Sequence, residues 1–233
     1  TLKLLAATTK VKVDGDLGNQ SGDEFTLDVT NAVASVTHID LSELSTTKGI
    51  IDISALTSVL ADVKGTKGND IITLGDKAST AKGEGISIDG SDGNDTFVFK
   101  DAAKVTAVTN DNSVQSSVIN NFAVGDKIKF DSFVAENKLV VVTSNVDDAS
   151  TTGLKTKFVD AKITAVDGLS TVADGDIFAY VNGTDTYVVY NKVGGTADEL
   201  DAGDIVVKLA GVKVGTDFNL QLTDGELHAV AIA

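Results

Sequence analysis

The sequence contains no cysteine, proline, methionine or tryptophan, its 19 basic residues are all lysines, and only 5% of its residues are aromatic. Without cysteine there is no disulfide framework and no thiolate metal site. The lack of arginine argues against recognition of phosphate or nucleic acid. The apolar residues, 42% of the chain, are mainly Val, Ile, Leu and Ala, which suit thin β layers better than a bulky globular centre.

The charge balance is strongly acidic, with 34 Asp and Glu residues and a formal net charge of −15. Such a polyanion is repelled by nucleic acid and by anionic membranes. It attracts divalent cations, although the acidic composition is explained equally well as a means of keeping the protein in solution. No segment approaches the roughly 18 continuous apolar residues of a membrane span. The apolar run in residues 1–10 is too short for a signal peptide, and the start at Thr1 leads us to expect a longer natural protein.

Two nine-residue segments, residues 65–73 and 90–98, share one pattern. Each has glycines at the first and fourth positions, Asn-Asp at the fifth and sixth and a large apolar residue at the eighth. Glycine permits positive φ, so a sharp turn can aim carbonyl oxygens inward. Aspartate adds a hard anionic oxygen, and calcium takes six to eight oxygens at roughly 2.3–2.6 Å. One Gly-Asn-Asp is ordinary turn chemistry, but two copies leading into alternating apolar residues indicate calcium-binding turns.

A second repeat is shorter. Ile39-Asp-Leu-Ser-Glu-Leu44 recurs twelve residues later as Ile51-Asp-Ile-Ser-Ala-Leu56, and its alternation of apolar and polar residues predicts half-buried strands. Short strands at a small fixed spacing are typical of a solenoid. Further rungs are predicted at residues 59–63, 71–74, 86–88 and 97–99, and residues 75–85 are interpreted as an insertion that loops out of a turn.

The two ends of the chain predict further strands. Short strands at 10–13 and 25–29 flank an acidic loop, whose Asp14 and Asp16 are interpreted as part of a solvated hairpin loop more readily than as a cation site. Residues 139–143 predict a strand, residues 155–166 are compatible with a helix, and segments 176–181 and 186–190 predict a hairpin around Asn182-Gly-Thr-Asp185.

The fold prediction is therefore an all-β chain: a short calcium-binding β-helix or β-roll, followed by an antiparallel, sandwich-like C-terminal β module. We divide it into N-terminal strands (1–36), a solenoid (37–135) and a C-terminal module (136–233). The last residues, 227–233, are small and apolar, which is compatible with a last edge strand.

The element Ile119-Asn-Asn-Phe-Ala-Val-Gly-Asp-Lys-Ile128 and the later Asp201-Ala-Gly-Asp-Ile-Val-Val-Lys-Leu-Ala-Gly211 complete a wider pattern. Together with the nonapeptides, they resemble the C-terminal part of type I-secreted repeats-in-toxin (RTX) proteins. That group includes toxins, metalloproteases, lipases, adhesins and bacterial surface-layer (S-layer) proteins. The resemblance covers residues 65–211, and the nonapeptides are its specific part. It also implies that residues 227–233 equally suit an export signal read by a type I exporter.

The resemblance implies that calcium lies between successive turns, held by backbone carbonyls and Asp carboxylates. The matching positions here are Gly65, Gly68, Asn69, Asp70, Gly90, Asp92, Gly93, Asn94 and Asp95. In the family, two stacked turns lie about 18 residues apart, whereas the starting positions here, 65 and 90, are farther apart. Two interpretations follow: the insertion at 75–85 absorbs the excess, with Asp76 or Asp89 completing the ligand shell, or the sites are incomplete and weak. We expect roughly one to three calcium ions on this basis.

Catalytic patterns are missing. His38 and His228 are the only histidines, and there is no H-E-x-x-H, no G-x-S-x-G and no Cys-His pair. The glycines near Gly83 and Gly85 do not continue into a phosphate-binding loop. The acidic cluster at 198–204 lacks the spacing of an EF-hand and is interpreted as a turn. We predict that the chain is not an enzyme.

These observations favour a structural calcium-binding module of a secreted bacterial cell-surface protein, of the S-layer kind, that folds and assembles on extracellular calcium. The alternative is the C-terminal calcium-binding and secretion domain of an RTX adhesin, toxin or hydrolase. The expected partners are further copies of the chain in a lattice or oligomer, a type I exporter and a cell-surface polysaccharide.

Overall fold

The computed structural model describes residues 2–3, 10–12, 15–16, 24–29, 36–45, 48–54, 62–75, 86–100, 117–131, 138–145, 175–191 and 204–233. Within these residues the regular structure is entirely β, as predicted. The strands are β1 (Leu2–Lys3), β2 (Lys10–Lys12), β3 (Gly15–Asp16), β4 (Glu24–Asp28), β5 (His38–Asp40), β6 (Leu44–Ser45), β7 (Lys48–Asp52), β8 (Asp62–Lys64), β9 (Ile71–Leu74), β10 (Ser87–Asp89), β11 (Thr96–Phe99), β12 (Ser117–Asn120), β13 (Lys127–Phe130), β14 (Leu139–Asn145), β15 (Ile177–Asn182), β16 (Asp185–Tyr190), β17 (Ile205–Leu209), β18 (Asn219–Thr223) and β19 (Glu226–Val230).

Two large sheets contain most of these strands. Sheet 1 has the order β1-β4-β7-β9-β11-β13-β19-β18, sheet 2 has the order β14-β15-β16-β17-β12-β10-β8-β5-β2, and β3 pairs with β6 separately. From β7 to β13 the chain alternates between the two sheets, and each strand from β7 to β11 pairs in parallel with the strand one circuit later. The circuits are unequal, because Ile50 pairs with Ile71 whereas Thr96 pairs with the more distant Lys127.

The core lies between the sheets, because alternate residues of each strand point inward. In β9 and β11 the buried residues are Ile72, Leu74, Phe97 and Phe99, while their neighbours are half-exposed. Parallel register places like residues over like, and each buried aliphatic or aromatic side chain contributes roughly 1.5–3 kcal/mol. One such row in sheet 1 is Leu27, Ile51, Ile72, Phe97 and Ile128, and Leu227 continues it through the antiparallel pair of β13 and β19.

The twelve-residue repeat corresponds to half a circuit. Ile39 lies in β5 of sheet 2 and Ile51 in β7 of sheet 1, and Ile39 pairs with Val63, one full circuit later. At each repeat an aspartate accepts hydrogen bonds from the serine two residues on, which bends the chain out of its strand. The bonds join Asp40 to Ser42 and Asp52 to Ser54.

The N-terminal hairpin expected around the acidic loop is wrong. β2 pairs in parallel with β5 in sheet 2, whereas β4 pairs in parallel with β7 in sheet 1. The two strands on either side of the acidic loop, β2 and β4, therefore belong to different sheets and form successive halves of a circuit. Period-2 patterning predicts a strand but not its partner, so both a hairpin and a circuit fit the same sequence.

The C-terminal strands extend both sheets. β15 and β16 form the predicted hairpin, and Gly183 at its tip has φ 65°. β17 joins this hairpin to β12, while β18 and β19 form a second hairpin beside β13. Asp224 and Gly225 at the second tip both have positive φ, as a type I′ turn requires. Because β19 lies between β13 and β18, residues 227–230 form an interior strand rather than the expected edge strand.

One cluster of buried apolar side chains runs from Phe25 to Ala229 and includes strands from all three predicted segments. The segment boundaries remain a prediction. The possible helix at 155–166, most of the insertion at 75–85 and most of the acidic cluster at 198–204 lie outside the described residues. In the part of the chain that is described, no helix is long and apolar enough to cross a membrane.

Candidate functional site: a stack of buried aspartates

Three aspartates, Asp70, Asp95 and Asp126, occupy equivalent positions in successive circuits, and we call them the aspartate stack. Each lies one residue before a strand of sheet 1, and the registers of Ile71 with Thr96 and of Thr96 with Lys127 place them one above another. All three are at most 3% exposed. The two nonapeptide turns therefore stack directly, since the chain between them forms one circuit, and a third turn follows.

Hydrogen bonds connect the stack from circuit to circuit. The backbone N–H of Asp70 donates to Asp95 Oδ1, and that of Asp95 donates to Asp126 Oδ1, each at 2.8 Å. Gly49 holds the equivalent position one circuit earlier, and its N–H donates to Asp70 Oδ1 at 2.8 Å. Each carboxylate thus accepts a hydrogen bond from a buried amide of the preceding circuit. If that amide were unpaired, the free energy of unfolding would be lower by about 1–3 kcal/mol.

The carboxylates also close their own turns. Asp70 accepts hydrogen bonds from the Thr66 hydroxyl, at 2.6 Å, and from the Thr66 backbone N–H. Asp126 Oδ2 accepts from the Ala123 N–H at 2.8 Å. The first glycine of each nonapeptide leaves room for this: a Cβ on Gly65 would lie 2.2 Å from Asp70 Oδ2, and one on Gly90 2.0 Å from Asp95 Oδ2.

The other motif positions pack one turn on the next. Asn69 Oδ1 accepts the Asn94 N–H at 2.8 Å. Gly93 has φ 121°, and a Cβ there would lie 2.5 Å from the carbonyl oxygen of Gly68. The structure therefore brings the two turns into direct contact and gives both Asn69 and the second glycine a role in stacking.

Asp89 and Asp92 lie beside the stack. Asp89 is half-buried at the end of β10, where Oδ1 accepts the Ser91 N–H at 2.9 Å and both oxygens lie 3.1 Å from Nδ2 of Asn121. Its charge acts on Asp95. Asp92 is exposed to solvent at the tip of the same turn. Among the predicted carboxylate ligands that the structure describes, Asp92 is thus the most exposed.

Burial raises the pKa of every aspartate in the stack. For Asp95 the pKa rises to about 8, because burial dominates, the charges of Asp70, Asp126 and Asp89 add to it, and the hydrogen bond from Asp70 opposes it. The described ion pairs of lysine and histidine involve other carboxylates. Within the described residues the stack has no cationic side chain as a partner.

The stack supplies carboxylate oxygens and its glycine-rich turns carry backbone carbonyls, and oxygen is the ligand atom that calcium prefers. Most of the carboxylate oxygens nevertheless accept N–H groups already. No group of three or more acidic or histidine side chains in the described residues is placed to hold a metal ion. A calcium ion at these turns would therefore take a large share of its ligands from backbone carbonyls, as the glycine-rich sequence allows.

Both histidines contact carboxylates at the surface. His38 Nδ1 is 3.0 Å from both carboxylate oxygens of Asp62, and His228 Nε2 is 3.7 Å from Glu226. All four side chains are partly exposed on strands. His38 lies in sheet 2, whereas His228 lies in sheet 1 and pairs with Lys127, the residue that follows Asp126.

Neither a scan of protein-family models nor a search of curated proteins finds a match to this chain. The RTX resemblance thus stays a prediction that rests on the motif residues.

Sequence reasoning selected Asp70 and Asp95, which the structure brings into one stack, but it did not include Asp126. The signal for it was available, since Asp126 precedes the buried Ile128 by two residues, as Asp95 precedes Phe97.

Proposed function

We propose that this chain is a structural, calcium-stabilised β-solenoid module of a secreted bacterial cell-surface protein, of the S-layer kind. It has no catalytic role in this proposal. The observation that supports it best is the aspartate stack: three buried carboxylates in register, within glycine-rich turns and without a cationic partner in the described residues.

The stack favours a cation for an electrostatic reason. A buried carboxylate without a counter-charge is unfavourable, and three in successive circuits repel one another. In this proposal each calcium ion lies between two successive turns and takes most of its ligands from the carbonyls of Gly65, Gly68 and Gly90. At most two carboxylates of the stack, such as Asp70 and Asp95, complete its shell. The ion would supply positive charge between the turns. The side chains themselves cap backbone amides and join each circuit to the next.

The functional consequence is a link between folding and calcium. A ligand that binds only the folded chain stabilises it by about 2.7 kcal/mol when present at one hundred times its Kd. Where free calcium is scarce, repulsion among the 34 acidic residues opposes compaction. Outside the cell, calcium reverses that balance, so the module orders after export. Self-association, passage through a type I exporter and attachment to a polysaccharide complete the proposal.

Thermal unfolding followed by circular dichroism, in chelator and in millimolar calcium, tests this proposal. We expect calcium to raise the Tm of the natural sequence and to have little effect on Asp70→Ala or Asp95→Ala. Asp131→Ala is the control, because Asp131 is exposed and is not one of the predicted ligands, and it should respond like the natural sequence. Equal Tm values with and without calcium for the natural sequence would refute the proposal.

A further inference from the structure

Among the described residues, the two large sheets end in four edge strands, β1, β2, β14 and β18. An edge strand presents unpaired N–H and C=O groups, and proteins usually protect it by shortness, lysine, proline or a bulge. Strand β1 is only two residues long, and β2 has the sequence Lys-Val-Lys. The pairing of β14 with β15 shifts register between Val142 and Asn145. Three of the four edges therefore carry a recognised protection.

Strand β18 carries none of them. Its sequence, Asn219-Leu-Gln-Leu-Thr223, has no charge and no proline, and all five residues pair with β19 without a register shift. Its other side pairs with no strand among the described residues. Gln221 and Thr223 are exposed, while Leu222 is a half-buried residue at the rim of the core. In a chain of this charge density, five neutral residues form an edge suited to a partner strand.

We propose that β18 is a self-association strand, which pairs in antiparallel fashion with β18 of a second copy of this chain. The proposal rests on the self-association in the proposed function and gives it a specific surface. Pairing centred on Gln221 is self-complementary, as a two-fold interface must be. It places Asn219 opposite Thr223 on the outer face and Leu220 opposite Leu222 on the inner face. Sheet 1 then continues across both copies through main-chain hydrogen bonds.

Charge also favours this strand as the meeting point. Each copy has a formal charge of −15, so most faces of two copies repel each other. Within β18 no like charges meet. In the same register the flanking Asp224 lies opposite Phe218, and Asp217 opposite Gly225, so neither carboxylate faces another. The remaining long-range repulsion is screened by salt, and we therefore expect association to strengthen as ionic strength rises.

Single cysteines test both the strand and its register, because the natural sequence has no cysteine. Gln221→Cys places two thiols directly opposite each other, within the span of roughly 4.4–6.8 Å between Cα atoms that a disulfide requires. Thr223→Cys places its two thiols about 13 Å apart along the strands, at roughly 3.3 Å per residue. Under mild oxidation we expect covalent dimers from Gln221→Cys and few from Thr223→Cys. Equal yields from the two variants would overturn the proposed register.

Sedimentation velocity over a concentration series tests the association itself, on the full chain in chelator and in calcium. We expect the natural sequence to form dimers, Gln221→Lys to shift at least tenfold towards monomer, and Thr216→Lys, which adds the same charge in an exposed turn, to behave like the natural sequence. A monomer at all concentrations and in both buffers, or a dimer that Gln221→Lys leaves intact, would overturn the proposal. Neither variant touches the aspartate stack, so loss of calcium binding and loss of dimers are separate results.

Discussion

At the scale of single residues, the aspartates of the stack serve as hydrogen-bond acceptors for their own turn and for the preceding circuit. Asp70 illustrates this, since it binds the amides of both Thr66 and Gly49. The same burial that permits these bonds makes the negative charge unfavourable. An aspartate in this position therefore stabilises the fold through the hydrogen bonds that its oxygens accept, whereas its buried negative charge needs a proton or a cation to offset it.

Asp95 gives a pH-dependent prediction. Its pKa is about 8 in the folded chain and about 3.9 when unfolded, so the folded chain binds more protons between these values. Stability in chelator should consequently fall as pH rises from about 4 to about 8, by up to about 1.4 kcal/mol per pH unit. Asp95→Asn keeps the acceptor for the Asp70 amide but cannot ionise, so urea unfolding of this variant should show a flatter profile. An unchanged slope would contradict the assignment to Asp95.

Gly90 gives a steric prediction. A Cβ there would lie 2.0 Å from Asp95 Oδ2, so Gly90→Ala must displace the carboxylate, and we expect a loss of about 1–3 kcal/mol in the free energy of unfolding. Gly211→Asn is the control, because nothing lies within 4 Å of that position and asparagine tolerates positive φ. If both variants were equally stable in urea, the close contact with Asp95 would be wrong.

At the scale of the elements, the third turn completes the stack. Asp126 accepts the amide of Asp95 and caps Ala123 in its own turn. Asp126→Ala should cost about 1–3 kcal/mol, because it leaves a buried amide unpaired, and should speed hydrogen exchange at the Asp95 amide. Asp131→Ala, an exposed change just beyond the same strand, should leave both quantities unchanged. Slow exchange at Asp95 in the Asp126→Ala variant would show that this bond contributes little.

The sequence predicts the positions of the strands better than it predicts which strands pair with one another. Alternating patterns located β9, β11, β13 and the β15–β16 hairpin, because each depends on neighbours within a few residues. The pairings of β2 with β5 and of β4 with β7 join segments a full circuit apart, which local patterning does not specify. A fixed repeat length also does not predict the third aspartate, because the step from Asp95 to Asp126 is longer than that from Asp70 to Asp95. Asp224-Gly225 is also a hairpin signal in the sequence, because Asp-Gly suits the two positive φ angles of a type I′ turn.

At the scale of the whole molecule, two sheets share one core, and strands from the N-terminal and C-terminal ends of the chain lie in both. The aspartate stack joins three circuits in the middle of sheet 1. The sheet then ends at the neutral strand β18. Folding of one copy thus depends on the aspartate stack in the middle of sheet 1, whereas pairing between copies depends on β18 at the edge of the same sheet.

The most direct test of the central claim is calorimetric titration of the full chain with calcium at neutral pH. We predict saturable binding of roughly one to three ions, with oxygen ligands only, and its loss in the double variant Asp70→Asn and Asp95→Asn, which retains an acceptor at each position. Asp131→Asn should bind as the natural sequence does, because Asp131 is exposed and is not among the predicted ligands. No heat of binding at millimolar calcium, or the same binding in the double variant, would contradict the account.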